Sequence, residues 1–332
     1  AALLLLAEGQ ATEGVEILFP DGQRHRLPVD HVRRTEAGAE ATVRKEAGDD
    51  PDVTNRALIT AAVVWTEGSD VEFVAGEGVG TVTKPGLAVP PGKSAINPVP
   101  QRMIREAIRE ITSRGVRVTI SIPGGRELAA KTFNPRLGIV GGLSILGTTG
   151  IVRPFSCSAL RETLRCALNV AVAVGIRTPV FVPGHIGERA ARSHFRVTPE
   201  QVVEVGNEWG FALDEAAMQP FSALLIVGHP GKLAKLTVGG WDTHSGRSGS
   251  ACPIVAEMHA AILGRPAAEI PTVEGIFAAL NGGEKKRLGD TLAAAIQEAV
   301  GKRTEGRLNA AVVLIDLGGC ILGKTGDLIP WG

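Results

Sequence analysis

One stretch of the chain, residues 138–156, combines the residue types that bind small ligands. It places five glycines and a Thr-Thr pair between apolar residues, which an ordinary core strand would not tolerate because glycine adds no packing and costs backbone entropy. Glycines at the end of a strand allow the backbone to pass close to a ligand, and nearby hydroxyls supply hydrogen bonds. The stretch therefore predicts a nucleotide-like or adenosyl site, with tight turns in a buried sheet as the alternative. The candidate ligand-binding residues are Gly141, Gly142, Gly147, Thr148 and Thr149.

A second candidate is the segment 242–245, Asp-Thr-His-Ser, which precedes a predicted helix. We predict that Asp242 and His244 are catalytic, because the imidazole could move a proton or hold a substrate carboxylate. The alternative is structural, since Asp, Thr and Ser commonly cap the start of a helix.

Three further loops follow apolar segments and contain glycine: residues 183–188, 206–210 and 228–231. If the segments before them are parallel strands, these loops and the glycine stretch would line one cleft at the carboxyl ends of the strands. Asn207 and Glu208 could then accept hydrogen bonds from ribose hydroxyls. The alternative is that the glycines in these loops only allow the chain to turn and bind no ligand.

The sequence does not predict a metal site. Asp49, Asp50 and Asp52 form an acidic cluster, but their spacing is not that of a calcium loop, and turn-forming aspartates beside a proline explain it equally well. His185 and His229 both follow predicted strands, yet a third ligand at a defined spacing is missing.

The pattern of apolar residues predicts two domains. Residues 1–115 read as short strands and one helix over 101–113, which indicates an α+β domain. From residue 116, continuous apolar strands alternate with helices, which is typical of a doubly wound, Rossmann-like parallel sheet covered on both faces. We assign residues 116–332 to this α/β domain, although the final strand at 310–316 could pack on either one.

Composition narrows the function. The chain has 332 residues with 35 basic and 35 acidic side chains and no tyrosine, which argues against binding nucleic acid or a membrane surface. Its four cysteines lack metal-site spacing, which favours reduced thiols in a cytoplasmic protein. The apolar opening lacks a basic region and reaches Glu8 at once, so we interpret it as the later part of a core helix rather than as a signal peptide.

The segment 134–152, Asn-Pro-Arg-Leu-Gly-Ile-Val-Gly-Gly-Leu-Ser-Ile-Leu-Gly-Thr-Thr-Gly-Ile-Val, resembles the signature of the cobalt-precorrin-5B methyltransferases of anaerobic cobalamin biosynthesis. Four other segments resemble that family in the same order, namely residues 45–54, 76–86, 95–100 and 242–245. The resemblance implies an enzyme that uses S-adenosylmethionine to methylate carbon 1 of cobalt-precorrin-5B and gives cobalt-precorrin-6A.

That substrate is a cobalt-containing tetrapyrrole with several acetate and propionate arms, so it needs basic and amide donors. The resemblance places the candidate substrate-binding residues in or beside the matched segments: Asp50, Lys84, Asn97, Arg102, Arg136 and Arg153.

Two other functions remain open. A nucleotide-binding enzyme such as a kinase or dehydrogenase is disfavoured, because the glycine stretch matches neither a P-loop nor a clean GxGxxG before a helix. A non-catalytic tetrapyrrole carrier would bind the substrate without the methyl donor. The oligomeric state is left open.

Overall fold

A computed structural model describes residues 1–50, 52–147, 150–151, 157–267 and 270–332. The chain divides into two compact units, Ala1–Cys157 and Ser158–Gly332. The fold is mixed α/β, as the sequence predicts. Among the described residues, the helices are too short or too polar for any of them to span a lipid bilayer.

The first unit consists mainly of short strands. Its elements are α1 (Ala2–Glu8), β1 (Gly14–Leu18), β2 (Arg24–Pro28), β3 (His31–Arg34), β4 (Ala39–Arg44), β5 (Leu58–Thr66), β6 (Val71–Ala75), β7 (Thr81–Val82), α2 (Pro98–Arg109), β8 (Gly115–Ser121), α3 (Gly125–Ala129) and β9 (Ile139–Val140).

The main sheet of the first unit has the order β3-β4-β5-β8-β6. Strands β3, β4, β5 and β8 pair antiparallel, whereas β6 runs parallel to β8 and is connected to it through α2. The hairpin β1-β2 forms a separate ladder, and β7 pairs with β9. One core forms where Val116, Val118 and Ile120 of β8 pack with Leu3 and Leu5 of α1.

The division between the units lies later than the predicted boundary between residues 115 and 116. Strand β8 begins at Gly115 and lies between β5 and β6 in the first sheet, so the chain cannot leave that unit there. The glycine stretch therefore belongs to the first unit. The sequence pattern does not predict this boundary, because an apolar strand has the same pattern of residues in either sheet.

The second unit alternates helices with strands. Its elements are α4 (Cys157–Ala173), β10 (Val180–Val182), α5 (His185–His194), β11 (Val202–Glu204), α6 (Trp209–Ala217), β12 (Ala223–Gly228), α7 (Pro230–Leu233), α8 (Ser245–Ser248), α9 (Cys252–Leu263), α10 (Val273–Ala278), α11 (Gly282–Arg303), β13 (Asn309–Ile315) and β14 (Ile321–Thr325).

The sheet of the second unit has the order β11-β10-β12-β13-β14. The first four strands are parallel, and β14 pairs antiparallel with β13. The strand predicted at 310–316, β13, lies within this sheet, and β14 follows it as the last strand of the chain.

Both faces of the second sheet are buried. In β12, Leu224 and Ile226 face a core that includes Trp209 and Leu213 of α6. Leu225 and Val227 point to the opposite core, which contains Ala190 and Ala191 of α5. Helices α5 and α6 therefore cover opposite faces. Since β11 and β12 flank β10, the connections reverse direction between β10 and β12, and ligands of open α/β sheets commonly bind at such a point.

Candidate functional site

The glycines of the first unit serve two different purposes. A β-carbon on Gly142 would lie 2.2 Å from the carbonyl oxygen of Gly78, so this glycine permits two backbone segments to touch. Gly141 and Gly147 have φ of 83° and 141°, and a β-carbon on either would meet nothing within 4 Å. Of the predicted ligand-facing glycines, only these two combine an unusual backbone with open space.

Several predicted substrate-binding side chains lie in the first unit. The methylenes of Lys84 cover Gly138, and Lys84 Nζ donates to the Arg136 carbonyl oxygen at 3.5 Å. The Arg136 guanidinium lies 5.7 Å from the centre of the Phe133 ring. Both cations are therefore close to the predicted glycine stretch.

Arg102 lies in helix α2, and Asn97 lies immediately before it. Asn97 precedes the first turn of the helix, and its backbone nitrogen donates to the carbonyl of Ile145 at 2.9 Å. Arg102 is exposed and lies 4.0 Å from Glu106 one turn later. Asn97 thus joins the helix to the glycine stretch, whereas Arg102 points to solvent.

The acidic loop is held by one of its aspartates. Asp52 pairs with Lys45 Nζ and accepts the backbone N–H of Thr54 at 2.7 Å. Burial alone would raise the pKa of Asp52, but the hydrogen bonds from Lys45 and Thr54 outweigh it and hold that pKa below its usual value. Asp52 therefore shapes the loop that presents Asp50, which is half-buried.

The second unit brings two predicted groups together at the carboxyl end of β11. The Thr243 backbone N–H donates to the Asn207 carbonyl at 3.1 Å, and the Thr243 hydroxyl donates to Asn207 Oδ1 at 3.2 Å. Glu208 and Asp242 form an antiparallel bridge. The predicted ribose-binding residues thus lie beside the predicted catalytic segment.

Glu208 is held inside this cluster. Its side chain is 5% exposed and accepts a hydrogen bond from Arg161 Nε of α4 at 2.7 Å. A buried carboxylate needs such a partner, since burying a lone charge is costly. Glu208 therefore anchors the start of α6.

Asp242 and His244 shape their loop by hydrogen bonds. Asp242 accepts the His244 backbone N–H at 3.0 Å and pairs with Arg247 Nε at 2.5 Å. The Arg247 hydrogen bond is the main reason that the pKa of Asp242 lies below its usual value. A carboxylate with a lowered pKa is a poor proton acceptor near neutral pH.

The ring of His244 has a defined orientation. Its Nδ1 accepts the backbone N–H of Gly246 at 3.2 Å, which caps α8. The neutral ring therefore carries its proton on Nε2. In that form, exposed His244 can donate a hydrogen bond to a carboxylate, and neither nitrogen is ready to abstract a proton.

The buried Lys235 forms hydrogen bonds with the loop that carries His244. The residue is 4% exposed, and its Nζ donates to the Thr243 carbonyl at 3.1 Å and to Ser248 Oγ at 3.0 Å. The sequence does not predict this role, because a lysine in a short helical segment is usually exposed to solvent. Its ammonium fixes the segment that carries His244.

The ends of β10 and β12 approach closely. A β-carbon on Gly228 would lie 2.7 Å from Pro183 Cγ, and one on Gly187 would lie 2.8 Å from the Val227 carbonyl oxygen. These contacts draw the start of α5 against the sheet. The loops after these strands lie where the connections reverse, and ligands of open α/β sheets commonly bind at such a point.

Both ring nitrogens of His229 have hydrogen-bond partners within the protein. Its Nδ1 accepts the Gly231 N–H at 3.0 Å, and its Nε2 lies 2.8 Å from Glu274 Oε2. It therefore ties α10 to the end of β12 and does not pair with His185 as a metal ligand. In the described part of the chain, no group of three or more His, Cys, Asp or Glu is arranged to hold a metal ion.

Three predicted residues, Thr148, Thr149 and Arg153, lie outside the described residues. The other predicted residues form two groups. Gly141, Gly142, Gly147, Lys84, Asn97, Arg102, Arg136 and Asp50 lie in the first unit, and Asn207, Glu208, Asp242 and His244 lie in the second.

The fold and these residues define a mixed α/β protein with polar side chains at the carboxyl ends of parallel strands. Residues 1–154 match the CbiD family. The chain is 59% identical over 331 residues to the cobalt-precorrin-5B C(1)-methyltransferase of Syntrophotalea carbinolica, covering 100% of this chain and 94% of the relative. It is 39% identical to the cobalt-precorrin-5B C(1)-methyltransferase of Alkaliphilus metalliredigens, covering 96% and 86% of the two chains.

A crystal structure of a cobalamin biosynthesis protein (cbiD) from Archaeoglobus fulgidus is 31% identical and covers 74% of this chain and 77% of that one, with a TM-score of 0.38. The two curated relatives match along nearly the whole chain at high identity. The chain belongs to the cobalt-precorrin-5B C(1)-methyltransferase family. The resemblance seen in the sequence is thereby confirmed.

Proposed function

We propose that this protein transfers a methyl group from S-adenosylmethionine to carbon 1 of cobalt-precorrin-5B in cobalamin biosynthesis. The observation that carries the proposal is the 59% identity to a relative of that name over the whole chain. The methyl donor supplies a cationic sulfonium whose C–S bond breaks as the new C–C bond forms. Catalysis then rests mainly on positioning and on exclusion of water.

We assign the tetrapyrrole to the first unit. Lys84 and Arg136 are cations beside the glycine stretch, and Leu146 and Val140 are exposed apolar side chains in that stretch. An apolar macrocycle with a rim of carboxylates needs both kinds of contact. Gly141 and Gly147 leave open space for a flat ligand.

We assign the methyl donor to the crevice of the second unit, which we describe as a doubly wound, Rossmann-like sheet. Its connections reverse between β10 and β12, and Asn207 lies after the neighbouring strand, β11. In that position, Asn207 and the residues near it can accept hydrogen bonds from a ribose. The Nε2–H of His244 is available to donate to a carboxylate, and Asp242 orients this residue through the loop backbone.

The test is methyl transfer in solution. The purified chain is incubated with cobalt-precorrin-5B and S-adenosylmethionine carrying an isotopically labelled methyl group, and products are analysed by mass spectrometry and NMR. We expect one labelled methyl group on carbon 1. Tight binding of the tetrapyrrole with no transfer would favour the carrier function, and preferential binding of ATP or NAD would favour another enzyme class.

A further inference from the structure

Phe133 is an exposed aromatic residue just before the glycine stretch. Its side chain is 39% exposed, whereas the other phenylalanines that the structure describes are buried or half-buried. Phe133 belongs to none of the hydrophobic clusters of the described chain. A single exposed apolar side chain is normal on a protein surface. The groups around Phe133, however, are those that a flat anionic ligand requires.

Hydrogen bonds hold the backbone at Phe133 against the glycine stretch. The next residue, Asn134, is 6% exposed, and its Oδ1 accepts the hydroxyl of Ser144 at 3.2 Å. The Asn134 carbonyl oxygen accepts the backbone N–H of Ile139 at 2.9 Å. A buried amide with such partners fixes its segment. Phe133 therefore has a defined position beside the stretch.

Leu146 lies on the same side of the stretch as this contact. Leu143 and Ile145 each form a β-bridge with another segment, and both pack into the core of the first unit. Side chains alternate along extended backbone, so Ser144 and Leu146 face the opposite way. Leu146 is 66% exposed. Phe133 and Leu146 thus present two apolar surfaces, each within two residues of one hydrogen bond.

Two cations border these apolar side chains. The Arg136 guanidinium lies 5.7 Å from the centre of the Phe133 ring. Lys84 Nζ donates to the carbonyl oxygen of Arg136 at 3.5 Å, which places the ammonium at the same segment. Guanidinium and ammonium groups bind carboxylates by charge-assisted hydrogen bonds. An aromatic ring beside cations therefore complements a ligand with flat conjugated rings and carboxylate arms.

We propose that Phe133 is a stacking surface for the tetrapyrrole. A conjugated ring of the macrocycle lies against the exposed phenyl ring in the offset geometry that aromatic groups prefer, and Leu146 contacts the same ligand. A carboxylate arm then reaches Arg136 at the edge of the ring. The proposal rests on the tetrapyrrole substrate of the proposed function and adds a binding residue to it.

The experiment is an anaerobic titration of cobalt-precorrin-5B, followed by its visible absorption. The proteins are wild type, Phe133→Ala, Phe133→Leu, Phe133→Trp and the control Phe73→Leu. Phe73 is a half-buried residue of β6 with the Arg105 guanidinium 4.8 Å from its ring centre. The control thus removes a ring with the same kind of partner from the main sheet. Thermal unfolding and S-adenosylmethionine binding are measured on every variant.

We expect Phe133→Ala to raise the Kd for the tetrapyrrole about 10- to 100-fold, the usual effect of losing a large apolar contact. Phe133→Leu keeps apolar area but loses stacking, so its Kd rises about 3- to 10-fold. Phe133→Trp and Phe73→Leu bind as wild type does. The Phe133 variants keep wild-type thermal stability and S-adenosylmethionine binding, because the side chain is exposed.

Equal affinity of wild type and Phe133→Ala for the tetrapyrrole would overturn the proposal. A Phe133→Ala protein that also loses stability or S-adenosylmethionine binding would overturn it too, because the role of Phe133 would then be structural. Wild-type affinity of Phe133→Leu would rule out stacking. Failure of the proposed function is separate: wild type would then bind the tetrapyrrole but transfer no methyl group, with the effects of Phe133 on binding unchanged.

Discussion

The glycines of the two units differ in what they approach. In the first unit, Gly142 lies against the backbone of Gly78, so its missing side chain serves packing within the unit. In the second unit, Gly228 lies against Pro183, and a β-carbon on Gly184 would have Glu204 Oε1 at 3.7 Å as its neighbour. Glycine is denser in the first region, which also contains Gly141 and Gly147 in open space, whereas the reversal of strand connections lies in the second unit. A high glycine content therefore indicates that the backbone passes close to another group, but it does not tell whether that group is a ligand or another part of the protein.

The largest expected effect is that of Gly142→Val. A side chain there would clash with the Gly78 carbonyl, so we expect the free energy of unfolding to fall by more than about 3 kcal/mol. Gly141→Ala is the matched control, because its β-carbon would meet open space and only its φ of 83° is strained. That control should cost about 1 kcal/mol.

Urea unfolding of both variants checks this prediction, with donor binding measured on any variant that folds. A Gly142→Val protein of normal stability that has lost donor binding would contradict the packing interpretation. It would make the two glycine regions equivalent.

The next effect concerns His244 in the second unit. His244→Asn keeps an acceptor for the Gly246 N–H but removes the Nε2 donor. We expect unchanged stability and a KM raised about 10- to 100-fold for the reactant whose carboxylate His244 binds, as for a lost charged hydrogen bond. His244→Ala should show the same kinetic loss and, in addition, a fall of about 1 kcal/mol in the free energy of unfolding.

Steady-state kinetics and thermal unfolding of these two variants separate binding from capping. If His244→Asn has wild-type kinetics, His244 only caps the helix, and the loop would resemble the first unit in using its special residues for structure alone.

The smallest expected effect is that of Asp242 on pH dependence. Its folded pKa lies below the ordinary value of about 3.9, so the stabilisation is present above that pH and is lost as pH falls through the folded pKa. Because the side chain is partly exposed, Asp242→Asn should cost about 0.5 kcal/mol or less near neutral pH. The difference should vanish in acid.

Thermal unfolding from pH 3 to 7 checks the sign. The pH profile of kcat should have the same shape for both proteins above pH 6, since Asp242 stays ionised there. A profile in which an inflection disappears with Asp242→Asn would show that Asp242 takes part in proton transfer.

Much of the fold follows from local patterns. The alternation around Val15–Phe19 and the turn at Asp21 and Gly22 predict the hairpin β1-β2, and the structure confirms it. The sequence also predicts a helix over residues 208–218, and α6 spans Trp209–Ala217. These elements depend on residues close together in the chain, so their signals are local.

The first unit's boundary could not be read in the same way. Strand β8 has the apolar pattern of a buried parallel strand, and it does pair parallel with β6, but it also pairs antiparallel with β5. Its partners are decided by long-range pairing, which no local window contains. For this reason the glycine stretch lies in the first unit and not in the α/β unit to which the sequence pattern assigned it.

The sequence by itself determined the mixed α/β class, the family and the segments that carry polar chemistry, because residue type, spacing and turn chemistry are local properties. Only the tertiary structure decided that Asn207 meets Thr243 and that the buried Lys235 binds the loop of His244. These relations join residues from separate segments that follow β11 and β12. They exist only after the sheet has brought the strand ends to one edge.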